Sequence, residues 1–366
     1  MSAAMGPRVA VILGTRPEII KLAPVIARLG ERAMVVHTGQ HFDDAMSQAI
    51  LAQFEGVSLA HHLAVGGLTR GAQIGRATEQ IERVLLDHPV GTVLVQGDTN
   101  ACLAGALAAN ATGVRLVHLE AGMRSFDRSM PEEHNRVLTD ALADLCLVPV
   151  EVNREQLLRE GIPAERIRVV GSTLAEAARL LMPSAAARAE LLTHLGLRAN
   201  EFVLATIHRV ENTDSRERLR AILEGLVAIG APVVLPVHPR TRERIQSFGL
   251  GGVAARLHCI DPLPYADFLA LMAECALMIS DSGGVQEEST IVRRPVLIVR
   301  TTTERPELLG TFAALVKPDD SPDHGLIAVA RRVLADVPAA HAALASLPAP
   351  YADASAATVA AIDESA

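Results

Sequence analysis

The fold class is indicated most clearly by RVAVILGTRPEIIKLAPVIARL, residues 8–29. A short apolar run leads into a glycine turn, after which apolar residues recur at helical spacing, so the pattern predicts a β-strand, a loop and an amphipathic helix. Similar units begin at AMVVHTG (33–39), TVLVQGDTNACLAGALAA (92–109), RLVHLEAG (115–122), LCLVPV (145–150) and IRVVGST (167–173). Val-rich strands that alternate with helices predict a parallel sheet covered on both faces, with ligand groups in the loops after the strands.

A second series of the same kind follows an alanine-rich helical stretch after Ser172. Its strands are predicted within EFVLATIHR (201–209), PVVLPVHP (232–239), RLHCIDPLP (256–264), LMISDSGG (277–284), PVLIVR (295–300) and AALVKPD (313–319). Because 366 residues exceed what one hydrophobic core usually organises, we predict two α/β domains, residues 1–172 and 173–349, that face each other across a cleft. Residues 350–366 are predicted to form a helix that closes on one of the two domains.

Composition narrows the class of protein. A formal net charge of -8 disfavours nucleic acid as a partner, and no segment has the length of apolar sequence that a signal peptide or a membrane span requires. We therefore expect a soluble cytoplasmic protein. The four cysteines are widely spaced in apolar surroundings, which indicates core packing. Metal-ligand spacings, a Walker A sequence and GxGxxG are all absent, so neither a metal nor a nucleotide cofactor is expected.

Two loops are candidate anion sites. In GTRPE, Arg16 and Lys21 accompany a helix start that presents free backbone N–H groups, although a lone strand-end arginine is as readily a surface ion-pair residue. In SDSGGVQEE, glycines allow a diphosphate to approach the helix start, and a first-turn carboxylate can bind a ribose diol. The alternative here is a plain glycine-rich turn capped by serine. The residues concerned in this second loop are Ser282, Gly283, Gly284, Glu287 and Glu288.

Acidic and histidine side chains follow several strands. Asp98 lies in QGDT, Glu120 in HLEAG, Glu132 and Glu133 in MPEEHNR, and His208 follows FVLATI. Carboxylates at one sheet edge point into the same crevice, where burial and mutual repulsion raise a pKa enough for general acid/base catalysis. The alternatives are ordinary: Asp98 and Glu132 as helix-start carboxylates, and His208 as a structural hydrogen-bonding residue.

These segments, taken in order, resemble the non-hydrolysing UDP-N-acetylglucosamine 2-epimerases. The shared stretches run from GTRPEIIKLAPV at residue 14 to TTERPE near residue 307 and include QGDTNACLAGALAA, HLEAGMRS, PEEHNRVLTD, ATIHRVEN, PVHP and ISDSGGVQEE. The resemblance implies two Rossmann-like domains of the GT-B type and a homodimer. It also implies reversible C2 inversion of UDP-GlcNAc to UDP-ManNAc, by anti elimination of UDP and re-addition, without a metal or redox cofactor.

The resemblance assigns roles to individual positions. The acid/base candidates are Asp98, Glu120, Glu132 and His208. The UDP-binding candidates are Arg16, His238, Ser282, Gly283, Gly284, Glu288 and Arg305, with Glu288 on the ribose and Arg305 near the diphosphate. The supporting candidates are Lys21, Arg136 and Glu211.

The chain departs from the family at three places. Ser172 and Glu176 replace the family's Asn and Asp, which leaves room for a different sugar. Phe42, Asp43 and Asp44 replace the REM that follows TGQH in members with a second, allosteric UDP-GlcNAc, so we expect little activation by UDP-GlcNAc. APYADASAA replaces NPYGDG in the segment that returns to the first domain in the family.

Four other functions fit part of the pattern. A GT-B glycosyltransferase would use the same UDP site but would not need acidic groups around C2. A hydrolysing epimerase would release UDP and free ManNAc. A UDP-sugar sensor would bind without catalysis, although several carboxylates beside an anionic ligand would weaken binding. The same chemistry on a related nucleotide sugar, such as a diaminouronic acid, is the fourth.

Overall fold

The computed structural model describes residues 8–40, 59–319, 321 and 324–364. The chain divides into two compact units, one formed by residues 1–177 with 351–366 and the other by residues 178–350. The sequence predicts the first boundary after Ser172, whereas the division in the structure falls inside a helix, Thr173–Leu180. The start of this helix stays with the first unit because Glu176 accepts hydrogen bonds from Nα and Oγ of Ser355, at 2.8 and 2.5 Å.

The described part of the first unit contains a seven-stranded parallel sheet in the order β3-β2-β1-β4-β5-β6-β7. Its strands are β1 (Val9–Leu13), β2 (Ala33–His37), β3 (Leu59–His62), β4 (Thr92–Gln96), β5 (Arg115–Leu119), β6 (Leu145–Val148) and β7 (Ile167–Val169). Its helices are α1 (Arg16–Leu29), α2 (Arg70–Asp87), α3 (Asn100–Thr112), α4 (Pro131–Leu142), α5 (Glu151–Arg159), α6 (Thr173–Leu180), which crosses the boundary, and α16 (Ser355–Glu364), with short 3₁₀ turns at Gly30–Arg32 and Ala164–Arg166.

The central strands of this sheet are mostly apolar because helices cover both of its faces. All five residues of β1 and of β4 are buried, and alanine-rich α3 packs close to the sheet. Gly105 allows this approach, since a Cβ there would lie 2.8 Å from Cγ1 of Val95. The predicted strands of the first series are confirmed. Strand β3 was not predicted, because this short edge strand carries two histidines and alternates between half-buried and exposed residues.

The second unit contains a six-stranded parallel sheet in the order β10-β9-β8-β11-β12-β13. Its strands are β8 (Val203–Thr206), β9 (Val233–Pro236), β10 (His258–Ile260), β11 (Leu277–Ser280), β12 (Val296–Ile298) and β13 (Ala313–Leu315). The helices are α7 (Ala185–His194), α8 (Val210–Thr213), α9 (Arg216–Ala228), α10 (Pro239–Ser247), α11 (Gly251–Ala254), α12 (Tyr265–Glu274), α13 (Gly283–Val292), α14 (Leu326–Leu334) and α15 (Val337–Ala345), with a 3₁₀ turn at Pro306–Leu308.

The α/β fold class with two parallel sheets is therefore confirmed. One detail of the core prediction is wrong: Cys102, Cys146 and Cys275 are buried, but Cys259 lies exposed on the edge strand β10. An edge strand is covered on fewer sides, so an apolar neighbourhood in the sequence does not bury its residues. Within the described residues, no helix has both the length and the apolar character needed to cross a membrane.

The segment after Pro350 packs on the first unit. Nα of Ser172 donates to the carbonyl of Ala352 at 2.9 Å, and Nε of Arg28 in α1 donates to Oγ of Ser355 at 3.1 Å. Arg115 of β5 donates to the carbonyl of Ile362 at 3.0 Å. These bonds connect α16 to the sheet and to α1, although the APYADASAA sequence differs from the family's segment.

Candidate functional site

The first unit places its polar groups where the strand order of the sheet reverses. Strands β1 and β4 are neighbours in space but not in sequence, so the direction of the strand order changes between them. The loop after β1 leads to Arg16, the half-buried first residue of α1, and the loop after β4 carries Asp98. A crevice at the carboxyl end of such a reversal is the usual ligand site of an open parallel sheet.

Asp98 is held by Arg136 from α4. The guanidinium donates to Oδ2 of Asp98 through Nη2 and to Oε2 of Glu133 through Nη1, the latter at 2.7 Å. The Asp98 side chain keeps 30% of its surface exposed, whereas Arg136 is buried. Asp98 is not a helix cap, because the N-cap of α3 is Thr99, whose hydroxyl accepts from Nα of Cys102. Its carboxylate is thus both anchored and accessible.

Glu120 follows β5 with a left-handed backbone, at φ +69°. This conformation is uncommon for a residue with a side chain and often marks functional positions. Nζ of Lys21 lies 2.7 and 3.0 Å from the two carboxylate oxygens, and Nε2 of Gln96 donates to one of them. The structure therefore brings together Lys21 from the predicted anion loop and Glu120 from the predicted acid/base set.

The two adjacent glutamates of α4 have different environments. Glu132 is exposed in the first turn of the helix, while Glu133 is buried and accepts bonds from Nα of Ser125 and Nα of Phe126, at 3.0 and 2.9 Å. Burial alone would raise the pKa of Glu133, but these bonds and Arg136 lower it below the ordinary value. Glu133 is therefore a fixed anion that holds Arg136, and the acid/base role of Glu132 stays a prediction.

Glu18 is a buried carboxyl that the sequence analysis did not single out. It accepts hydrogen bonds from Nα of Gly14 at 3.0 Å, from Oγ1 of Thr15 at 2.9 Å and from Oγ1 of Thr99 at 2.7 Å. These bonds tie the loop after β1 to the loop after β4. Burial raises the pKa of Glu18 to about 7, although the three bonds act in the opposite direction and the charge of Asp98 adds to the rise.

The second unit has the same arrangement at its own reversal, between β8 and β11. His208 follows β8, and its Nδ1 lies 3.0 Å from Oδ1 of Asp281, the residue after β11. The ring of His238, which follows β9 and caps α10, lies 5.6 Å from the ring of His208. Burial would raise the pKa of Asp281, but hydrogen bonds from His208, Asn212 and Nα of Arg209 lower it. Asp281 thus orients His208, which remains 37% exposed.

Helix α13 begins directly after this strand, at Ser282 and the two glycines. Ser282 occupies the N-cap position without a side-chain cap bond, so the plain capped turn does not describe this loop. A Cβ at Gly283 would lie 2.3 Å from Oε1 of Glu304, so this side chain would have to move if position 283 carried a larger residue. Gly284 is the second residue of the helix. The half-buried helix start therefore combines first-turn backbone N–H groups with close side-chain packing, as an anion site needs.

Two glutamates of α13 have separate partners. Glu287 is buried and pairs with Nη2 of Arg305 at 2.5 Å, and Nε of Arg305 donates to the carbonyl of Gly283 at 3.0 Å. Glu288 accepts from the hydroxyl of Tyr265 at 2.6 Å. Arg305, which the sequence analysis assigned to the diphosphate, is only 3% exposed and braces the helix start from within.

The remaining residues that the sequence singled out are a supporting candidate, Glu211, and the positions at which the chain departs from the family. Glu211 lies in α8 with Oε1 3.7 Å from Nε of the buried Arg300. Ser172 caps α6 by accepting from Nα of Ala175 at 3.0 Å, and Glu176 binds Ser355. Both side chains are buried in contacts with their own unit, and the expectation that these two departures bear on the sugar stays a prediction. Phe42, Asp43 and Asp44 lie outside the described residues.

Sequence reasoning missed the buried charges behind the site, which are Glu18, His118, Asp140 and Asp281. An ionisable residue inside an apolar run, as in LVHLE and VLTDALAD, is the sequence feature that could have indicated such a buried charge. Within the described residues, no three histidine, cysteine or acidic side chains form a group that could hold a metal ion.

The chain is similar to known proteins over most of its length. Residues 27–362 match the family described as UDP-N-acetylglucosamine 2-epimerase. The UDP-N-acetylglucosamine 2-epimerase of Methanocaldococcus jannaschii is 38% identical over 325 residues, 86% of this chain and 89% of that protein. A UDP-2,3-diacetamido-2,3-dideoxy-D-glucuronate 2-epimerase of Pseudomonas aeruginosa is 39% identical over 311 residues, 82% of this chain and 86% of that protein.

A solved structure agrees with the sequence relatives. The crystal structure of Methanocaldococcus jannaschii UDP-GlcNAc 2-epimerase in complex with UDP-GlcNAc and UDP matches with a TM-score of 0.83 at 33% identity, and the match covers 98% of this chain and 100% of that one. The family match, the identity to the sequence relative and the coverage of nearly the whole chain by the solved structure agree on one family. The chain belongs to the UDP-N-acetylglucosamine 2-epimerase family.

Proposed function

We propose that the chain catalyses the reversible inversion of C2 in UDP-GlcNAc, giving UDP-ManNAc. The observation that carries the proposal is the pair of carboxylates at the first reversal: Asp98, anchored by Arg136 yet accessible, and Glu120, paired with Lys21. Inversion at a carbon needs proton removal and proton delivery, and two differently held carboxylates can supply both. The relative from M. jannaschii, whose structure contains UDP-GlcNAc and UDP, supports the choice of substrate.

The proposed reaction proceeds in two steps. A base takes the C2 proton while the bond between C1 and the UDP oxygen breaks, so the electron pair of the C–H bond becomes the C1=C2 double bond and UDP leaves with its own pair. A proton is then delivered to the opposite face of C2 as UDP re-adds at C1. Asp98, Glu120, Glu132 and His208 are the proposed acid/base groups. No electrons are gained or lost overall.

The second unit supports the nucleotide part of the proposal. The start of α13 offers backbone donors to a diphosphate, with His238 of the same unit as a further candidate contact. Asp281 holds the His208 ring in one orientation. Because the leaving group is UDP, stabilising its developing negative charge lowers the barrier directly.

Solvent exchange tests the reaction. When the protein is incubated with UDP-GlcNAc in deuterated water, deuterium is expected at C2 of both epimers, because the proton removed equilibrates with solvent before one is returned. NMR of the nucleotide sugars and mass spectrometry measure it. A boiled sample controls for spontaneous exchange, and turnover without incorporation at C2 would contradict the elimination route.

Glu288 tests the ribose assignment. Glu288→Gln is expected to weaken UDP binding roughly tenfold to a hundredfold, because hydrogen bonds to a charged acceptor contribute about 1.5–3 kcal/mol. The matched control is Tyr265→Phe, which removes only the hydroxyl that donates to Glu288 at 2.6 Å. Isothermal titration with UDP measures both variants. If Tyr265→Phe weakened UDP binding as much as Glu288→Gln, the local packing of these two side chains, and not the charge of Glu288, would determine the affinity.

A second candidate substrate is a diacetamido uronic acid linked to UDP. The relative from P. aeruginosa, 39% identical over 311 residues, favours it, and the chemistry at C2 would be unchanged. The exchange experiment with both nucleotide sugars distinguishes the two substrates by the rate of C2 deuteration. The homodimer and the cytoplasmic location stay predictions.

A further inference from the structure

His118 is fully buried in β5, two residues before Glu120. Its Nδ1 lies 2.7 Å from Oδ1 of Asp140 in α4, and its Nε2 lies 2.8 Å from the carbonyl oxygen of Gly97. A carbonyl and a carboxylate can only accept hydrogen bonds, so both ring nitrogens must carry hydrogens for both bonds to form. The geometry therefore requires an imidazolium.

The surrounding charges agree with this protonation state. Burial would lower the pKa of His118, yet the carboxylate of Asp140 raises it well above the usual value. Asp140 is also paired with Nη2 of Arg124 at 2.7 Å, and Arg124 in turn pairs with Glu160 at 2.6 Å. Burial opposes ionisation of Asp140, but His118 and Arg124 together lower its pKa. The four side chains alternate in charge and sum to zero.

The buried His118–Asp140 pair contacts the backbone next to Asp98 and next to Glu120. The Gly97 carbonyl that His118 holds belongs to the residue directly before Asp98. Oδ2 of Asp140 accepts from Nα of Gly122, two residues after Glu120, at 3.2 Å. Nα of Gly97 completes the link by donating to the carbonyl of Leu119 at 3.0 Å.

A purely structural role is a weak explanation of such a pair. Buried ion pairs are a poor source of net stability, because the cost of desolvating two charges is similar to what their attraction returns. The pair instead fixes the orientation of two loops, because His118 binds the Gly97 carbonyl and Asp140 binds the backbone N–H of Gly122. Glycine backbones at 97 and 122, both with left-handed φ, would otherwise be the most mobile parts of these loops.

We propose that His118 is a positioning residue, which as an imidazolium held by Asp140 fixes the Gly97 carbonyl and so sets Asp98 relative to Glu120. Its consequence for turnover rests on the proposed function. Misplacement of a catalytic group by about 1 Å can cost up to about a hundredfold in rate, so loss of the bond should appear in kcat.

Two amide variants separate the two bonds. His118→Gln carries its amide to the Nε2 position and can still donate to Gly97, whereas His118→Asn reaches only the Nδ1 position and keeps Asp140. We expect His118→Asn to lower kcat roughly tenfold or more, with KM and the Kd of UDP within about twofold, and His118→Gln to recover most of kcat. Equal loss in both variants, or loss of UDP affinity together with kcat, would overturn the proposal.

Amide hydrogen exchange provides a reading that does not depend on the substrate. His118→Asn is expected to speed exchange in residues 97–99 but not in residues 281–283 of the other unit, and unchanged exchange at 97–99 would refute the positioning role. If His118→Asn does not fold, His118→Gln takes its place: it keeps a donor to the Gly97 carbonyl, so exchange in residues 97–99 is expected to stay within about twofold of the wild type, and clearly faster exchange there would refute the proposal. Wild-type protein that fails to exchange C2 of either nucleotide sugar would contradict the proposed function alone.

Discussion

Replacing Asp98 with asparagine is expected to lower kcat about a hundredfold or more, with only a modest loss of UDP affinity. Asparagine has the same shape and can still accept from Nη2 of Arg136, but it can neither take nor return a proton at neutral pH. The effect should therefore fall on the chemical step. Initial rates of epimerisation give kcat, and titration with UDP gives the affinity.

The control for this substitution is Asp87→Asn at the exposed end of α2, where the same change in charge occurs away from the site. Thermal unfolding of both variants shows whether the Asp98–Arg136 pair also contributes to stability. Turnover that is unchanged in Asp98→Asn would remove this residue from the acid/base set and leave Glu120, Glu132 and His208.

The stability of Glu18→Gln is expected to depend on pH less steeply than that of the wild-type protein. Burial raises the pKa of Glu18 from 4.5 to about 7, so between these values the folded state keeps a proton that the unfolded state releases. The wild-type protein should therefore lose stability as pH rises from about 4.5 to about 7, and little more above it. A shift of this size corresponds to about 3 kcal/mol.

Urea titrations at pH 5 and pH 8 measure this difference as the free energy of unfolding of the first unit. Other ionisable groups titrate in both proteins, so they cancel when the variant is compared with the wild type. Glu31→Gln, which replaces an exposed glutamate after α1, is the control and should follow the wild type. Equal pH dependence in Glu18→Gln and wild type would show that Glu18 is ionised throughout this range.

The fold was predictable because its signal is repeated. Each short apolar run that is followed by a loop and a helical segment indicates one buried parallel strand. Because about a dozen such units occur, an error in assigning one of them does not change the predicted fold class. Strand β3 escaped because an edge strand with His61 and His62 has no apolar run to detect. The burial of Cys259 was wrongly predicted for a related reason: its neighbours in sequence are apolar, but its strand lies at the edge of the sheet.

The candidate site was predictable only at the level of which loops meet. The carboxyl ends of parallel strands lie at one edge of the sheet, so the sequence alone predicts that Asp98 and Glu120 lie close together. The pairing of Lys21 with Glu120 depends on side-chain reach across the reversal, and the contrast between Glu132 and Glu133 depends on the phase of α4. Neither quantity is contained in local sequence. The role of His118 was not predicted for a related reason: LVHLE shows a histidine within an apolar run, but it does not show what that side chain contacts.

The return of residues 351–364 to the first unit affects the order in which the chain can fold during synthesis. The sheet of this unit is translated early, but α16, which binds Arg28 and Arg115, leaves the ribosome only after the whole second unit. Residues 178–350 form a continuous segment and can complete their core first. Domains usually fold as they emerge, beginning at the N-terminus. Here the unit that is translated first is the later one to be completed, because its last helix is translated at the end of the chain.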